Sequence, residues 1–139
     1  DPELSRGLGD VYKRQAFEPL DISPAALRTI RKGMFQVTHG GLGTARAHNL
    51  SSSLGGMAGK TGTVQVKRIT KEQREAGITK NIERPWKERD HALFVGYAPV
   101  KNPRYAVSVV VEHGGSGSSM AAPIARATLQ RVLQTRDMA

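Results

Sequence analysis

Cysteine is absent from the 139 residues, which excludes structural disulfides and Cys-based zinc sites while leaving the cellular compartment open. Aromatics are scarce: three Phe, three Tyr and one Trp, so a core has to be assembled mainly from Val, Leu, Ile and Ala. No stretch approaches the roughly 18 consecutive apolar residues of a membrane span. The start, Asp1-Pro2-Glu3-Leu4, is not the basic-then-apolar pattern of a signal peptide, so any export signal or anchor is expected upstream. Acidic residues are few, 12 against 21 Lys and Arg, and the resulting +9 favours an anionic partner: nucleic acid, a membrane surface or a carboxylate-bearing substrate. The basic residues are spread along the chain and not gathered in one arm, which weakens the nucleic-acid option.

Residues 1–15 lack periodicity, end in Val-Tyr-Lys-Arg-Gln, and resemble translated adaptor sequence; they are set aside as a non-native or disordered leader, with residues 16–139 taken as part of one domain. Ser23-Pro24 reads as a helix cap and first turn, followed by a stripe of Leu27, Ile30, Met34 and Val37 up to Gly40-Gly41. A Gly/Ser/Ala-rich loop over 41–56 is expected to hold a short turn near 44–48. Alternation over 57–69 predicts a strand. The charged stretch 67–90 predicts a solvated excursion with a short helix near 71–76, tacked down by Trp86. Two further strands are expected at 91–98 and 105–112, pairing as an antiparallel hairpin across Pro99 to Pro103. Val107, Val109, Val110 and Val111 read as a strand covered on both faces. Ser118 or Ser119 is placed to cap a last helix, with Met120, Ile124, Thr128, Leu129 and Val132 as its packing face. The fold class is therefore α+β: an antiparallel sheet of about three strands with N- and C-terminal helices.

The chemistry concentrates in Lys60-Thr61-Gly62-Thr63. A phosphate-binding loop, G-x-x-x-x-G-K-[ST], would need Gly at position 54, which is Leu54, and a helix starting at the lysine. The β-branched alternation after Lys60 makes poor helix. The alternative is a Lys-Thr-Gly strand lining an acyl-transfer site. There an ammonium and a hydroxyl can grip a carboxylate, and Gly62 clears room for a peptide to pass the backbone. The next N–H, that of Thr63, can then point at a developing oxyanion.

These residues recur with Asp90-His91-Ala92-Leu93-Phe94-Val95-Gly96-Tyr97-Ala98-Pro99, Tyr105 to Glu112, Gly114-Gly115-Ser116-Gly117 and Ala121-Ala122-Pro123-Ile124-Ala125. As an ordered set they closely resemble the end of class B penicillin-binding proteins, most of all the elongation-type transpeptidases of rod-shaped Gram-negative bacteria. The resemblance, over about 17–133, implies part of a penicillin-binding/serine β-lactamase-like transpeptidase fold. It also implies a cofactor-free serine acyl transfer on stem peptides ending in D-Ala-D-Ala, with β-lactams as the competing ligands. Under it, Lys60 and Thr61 bind the terminal carboxylate, Gly62 gives clearance and Thr63 N–H forms half of the oxyanion hole. Work at the periplasmic face of the inner membrane, alongside the cell-elongation machinery, is implied in the same way. The family's signature also includes Ser-x-x-Lys and Ser-x-Asn. Neither occurs in this sequence. They are expected upstream, and the chain alone is expected to be inactive.

Two other readings stay open at this point. A serine β-lactamase-like hydrolase shares the Lys-Thr-Gly strand, although the long 67–90 excursion and the 90–99 block favour a transpeptidase. A small basic nucleic-acid-binding module would need exposed aromatics among its cations. The four histidines, His39, His48, His91 and His113, have no metal-like spacing and are expected in structural or surface roles. Glu112 and His113, at a strand end beside a Gly-rich turn, are candidates for the rim of a cleft.

Overall fold

In the computed structural model, residues 21–78 and 80–136 are described; the leader 1–15 lies outside them. Helix α1, Pro24–His39, starts where the sequence indicates: Ser23 Oγ accepts from Ala26 N–H at 3.2 Å, and Pro24 occupies the first turn. Its apolar stripe is covered only toward the C-terminal end. Met34 and Val37 are partly buried, whereas Leu27 and Ile30 are 38% and 52% exposed. Only the last turns reach the sheet, where the buried Thr38 hydroxyl donates to Met57 O at 2.7 Å. A single 3₁₀ turn, Arg46–His48, realises the turn expected at 44–48.

Strand β1 is Ala58–Val64, shorter than the expected 57–69. It ends there because its antiparallel partner β2, His91–Ala98, begins opposite, with Val64 paired to His91. A strand without a neighbour has no ladder to continue. The excursion between them holds helix α2, Lys71–Glu75, closed by a reciprocal capping box between Thr70 and Gln73. Its anchor is not Trp86 alone. Trp86 is 56% exposed, though its ring leans on His113 at 4.4 Å, while Arg84 is 3% exposed and bonds Asp90 Oδ1 at 3.2 Å as well as the Lys67 carbonyl. A planar guanidinium with several donors can tie both ends of a loop at once.

β2 and β3, Tyr105–Val111, form the expected hairpin, and the strand order is β1-β2-β3. Within the described residues the valine run is covered on one face only, and not on both as expected. β3 lies at the end of the described sheet, with Tyr105, Val107, Val109 and Val111 turned to the core and Ala106, Ser108 and Val110 exposed. The central strand is β2, where Ala92, Phe94, Gly96 and Ala98 are buried. Phe94 fills a slot made by two glycines. A Cβ on Gly59 would stand 2.2 Å from its ring, and one on Gly96 would stand 2.7 Å away. Gly59 and Gly96 are directly paired, so the ring covers a two-strand gap that side chains would close.

A π-helical turn, Gly117–Ala121, leads into helix α3, Ala122–Arg136. Of the expected packing face only Leu129 is fully buried; Val132 is partly buried, and Met120, Ile124 and Thr128 are exposed. The buried face is Ala121, Ala122, Ala125, Leu129 and Leu133. Small side chains let the start of α3 lie close against the sheet, and the larger leucines fill the space farther along. With Ala45, Leu50, Met57 and Phe94, this face makes the core.

Candidate substrate-binding site

All four motif residues lie on β1, in the order the sequence indicates. β1 pairs only with β2 among the described residues, so its other edge carries no strand. Directly paired residues of antiparallel strands share a face. Thr61 and Thr63, opposite Phe94 and Ala92, therefore belong to the face that α3 covers, and Lys60, opposite Val95, belongs to the other. Lys60 and Thr63 are exposed and Thr61 and Gly62 partly buried, so the tetrapeptide sits at the lip of the sheet and not inside the core. Lys60 Nζ folds back onto the Thr61 carbonyl at 2.7 Å.

Beside Lys60 opens a groove of about 550 Å³, walled by Gly33, Gln36, Val37 and the run Gly40 to Thr44. The glycine-rich run is held against the end of α1. Ala45 N–H donates to Val37 O at 3.0 Å, and a Cβ on Gly43 would stand 2.4 Å from that same oxygen. From this run Thr44 reaches the motif, its hydroxyl 2.9 Å from the Thr61 hydroxyl. Behind the strand, buried Gly117 touches it without a side chain: a Cβ there would lie 2.3 Å from Gly62 O and 2.4 Å from Leu93 O. Neither Thr44 nor Gly117 was singled out as a site residue from sequence. Gly117 stands in the Gly114 to Gly117 block of the resemblance without a role assigned to it, and Thr44 lies 17 residues from its partner.

The histidines divide. His39 stacks on Phe35 at 3.9 Å, whereas His91 and His113 meet at 4.7 Å, with His113 N–H donating to His91 Nδ1 at 2.8 Å. Among the described residues no group of His, Asp or Glu has metal-binding geometry. Glu112 is exposed; His113 lines a separate cavity of about 270 Å³ with Asn81, Arg89 and the 114–116 turn.

The penicillin binding protein transpeptidase domain matches this chain over residues 6–130. The chain belongs to the penicillin-binding protein transpeptidase family. The peptidoglycan D,D-transpeptidase MrdA of Haemophilus influenzae is 36% identical over 114 residues, 81% of this chain and 16% of that protein. The crystal structure of Pseudomonas aeruginosa PBP2 in complex with WCK 5153 shares 42% identity at a TM-score of 0.53, covering 75% of this chain and 18% of the other. Helicobacter pylori PBP2, solved in complex with MreC, has a TM-score of 0.69 over 90% of this chain and 21% of its own, at 23% identity, and supports the fold alone. The chain thus spans about one sixth of the length of the MrdA relative. These matches favour neither the β-lactamase nor the nucleic-acid reading. Within a penicillin-binding protein transpeptidase domain the described residues supply a three-stranded antiparallel sheet flanked by helices. No helix among them is long and apolar enough to cross a membrane.

Proposed function

We propose that this chain is the C-terminal part of a peptidoglycan D,D-transpeptidase and carries its carboxylate clamp. The observation that carries the reading is the exposed edge of β1, where Lys60, Thr61, Gly62 and Thr63 follow one another beside an open groove. Lys60 and Thr61 belong to opposite faces, but the long Lys60 side chain wraps the strand as far as the Thr61 carbonyl. At that edge its ammonium and the Thr61 hydroxyl can meet the terminal carboxylate of a D-Ala-D-Ala stem peptide or the matching carboxylate of a β-lactam. The Lys60 ammonium donates to the Thr61 carbonyl, and a bound carboxylate would compete for it. A strand repeats its backbone direction every second residue, so the Thr63 N–H shares the edge of the Thr61 carbonyl, where it can serve as half of the oxyanion hole.

The nucleophile comes from a Ser-x-x-Lys elsewhere in the parent enzyme, since none of the serines here has that spacing. That enzyme would form an acyl-enzyme with one stem peptide, release D-Ala and pass the acyl group to an amine on a neighbouring strand. It would work at the periplasmic face of the inner membrane with the elongation machinery, as the resemblance of its sequence blocks to that family implies. Fluorescent penicillin tests the reading. The chain alone should take no label, and the full-length enzyme should label covalently. Lys60→Ala in the full-length enzyme should slow acylation by about tenfold or more, the scale of a lost charge-assisted hydrogen bond. Unchanged acylation would remove Lys60 from the site.

A further inference from the structure

We infer that Thr44 is a positioning residue of the carboxylate clamp, fixing which way the Thr61 hydroxyl donates. The inference rests on the clamp reading above and deepens it. Thr44 Oγ1 and Thr61 Oγ1 lie 2.9 Å apart, and each hydroxyl owns a single proton. One of the two therefore donates to the other. A carboxylate bound at Lys60 and Thr61 only accepts, so it claims the Thr61 proton. Thr44 then becomes the donor into the lone pair of Thr61. The ordered chain, Thr44 O–H to Thr61 O–H to carboxylate, polarises each bond and strengthens the last one. Without Thr44 the Thr61 hydroxyl can rotate, and the orientation has to be fixed again on each binding event.

Thr44 is built for this place. Its neighbour Ala45 is fully buried in the core and bonds Val37 O. On the other side, Gly43 packs against that carbonyl at a distance no side chain would permit, and its N–H donates to Gly40 O at 3.0 Å. Thr44 is thus an exposed side chain on a backbone pinned at both flanks, in the wall of the groove that Lys60 enters. An exposed hydroxyl pair adds little to folding stability, so its effect should appear in recognition and not in the thermal midpoint.

The test uses the full-length enzyme and the second-order rate of acylation by benzylpenicillin and by its methyl ester, which lacks the anionic group. Thr44→Val, nearly isosteric but without a hydroxyl, should slow acylation by benzylpenicillin about fivefold to tenfold and change the ester rate by less than about twofold. Thr44→Ser should restore the acid rate. Equal losses on acid and ester, no loss on the acid, or a Ser variant as slow as Val would each overturn the inference. Lys60→Ala, run in parallel, separates the two levels. If it too leaves the acid rate unchanged, the clamp reading falls together with this inference. If it slows the acid selectively while Thr44→Val does not, only the role of Thr44 falls.

Discussion

Replacing Gly117 with Ala probes the contact between the π-helical turn and the Lys-Thr-Gly strand. Gly117 is not among the residues with positive φ, so its backbone accepts alanine and the perturbation is purely steric. The added Cβ would lie 2.3 Å from Gly62 O, 2.4 Å from Leu93 O and 2.9 Å from Gly62 N. The closest of these is about 1 Å inside ordinary van der Waals contact. The obstructing atoms are backbone, not the end of a flexible side chain, so either β1 and β2 shift together or the turn lifts off. Overpacking of this kind costs roughly 1–3 kcal/mol of stability. A misplacement of about 1 Å at reacting groups costs on the order of a hundredfold in rate. We therefore predict for the full-length enzyme a modest fall in thermal midpoint and a slowing of penicillin acylation by about tenfold to a hundredfold. Acylation at the wild-type rate in a folded Gly117→Ala enzyme would refute the reasoning, because it would mean that the strand's position does not depend on this contact. Gly33→Ala is the control. Nothing lies within 4 Å of a Cβ there, and the position is inside α1, so alanine should raise stability by about 0.5–1 kcal/mol, the opposite sign from Gly117→Ala.

Other perturbations separate folding from the site. Phe94→Ala, which empties the slot over Gly59 and Gly96, should cost roughly 3–5 kcal/mol in denaturant unfolding, and a loss under about 1 kcal/mol would contradict its place in the core. Asp90→Asn leaves the buried Arg84 guanidinium without its anionic partner and should cost roughly 3 kcal/mol; it should also raise hydrogen exchange across residues 67–90, where unchanged exchange would remove the pair as the anchor. The Glu88 carboxyl is held below its usual range of about 4.5, chiefly by the hydrogen bond from Lys67. A depressed carboxyl stabilises at pH above its unfolded value and loses that contribution as the pH falls through the folded one. Exchange protection near Lys67 and Glu88 should accordingly hold at neutral pH and fall away below about pH 4.5, and a pH-independent pattern would count against the ion pair.

What the sequence determined by itself is what depends on neighbours along the chain. The start of α1 followed from Ser23-Pro24 and the hairpin from two apolar runs around a Pro-bounded turn, and a short helix was expected near 71–76, where α2 forms. The Lys-Thr-Gly block lay within four consecutive residues, so its place on one strand was legible as well. Tertiary structure decided whatever needed two distant segments. Which helix face of α3 is buried turned on alanines, whose small size carries little hydrophobic signal but permits close approach to a sheet. The valine run of β3 could not disclose its place at the end of the described sheet, because a strand's own residues do not say how many neighbours it has. Thr44 and Thr61, 17 residues apart, and Gly117 and Gly62, farther still, meet only because the chain closes on itself. Local propensity is written in each residue's own backbone and side chain, whereas contacts of this kind exist only once the loops between them have been ordered.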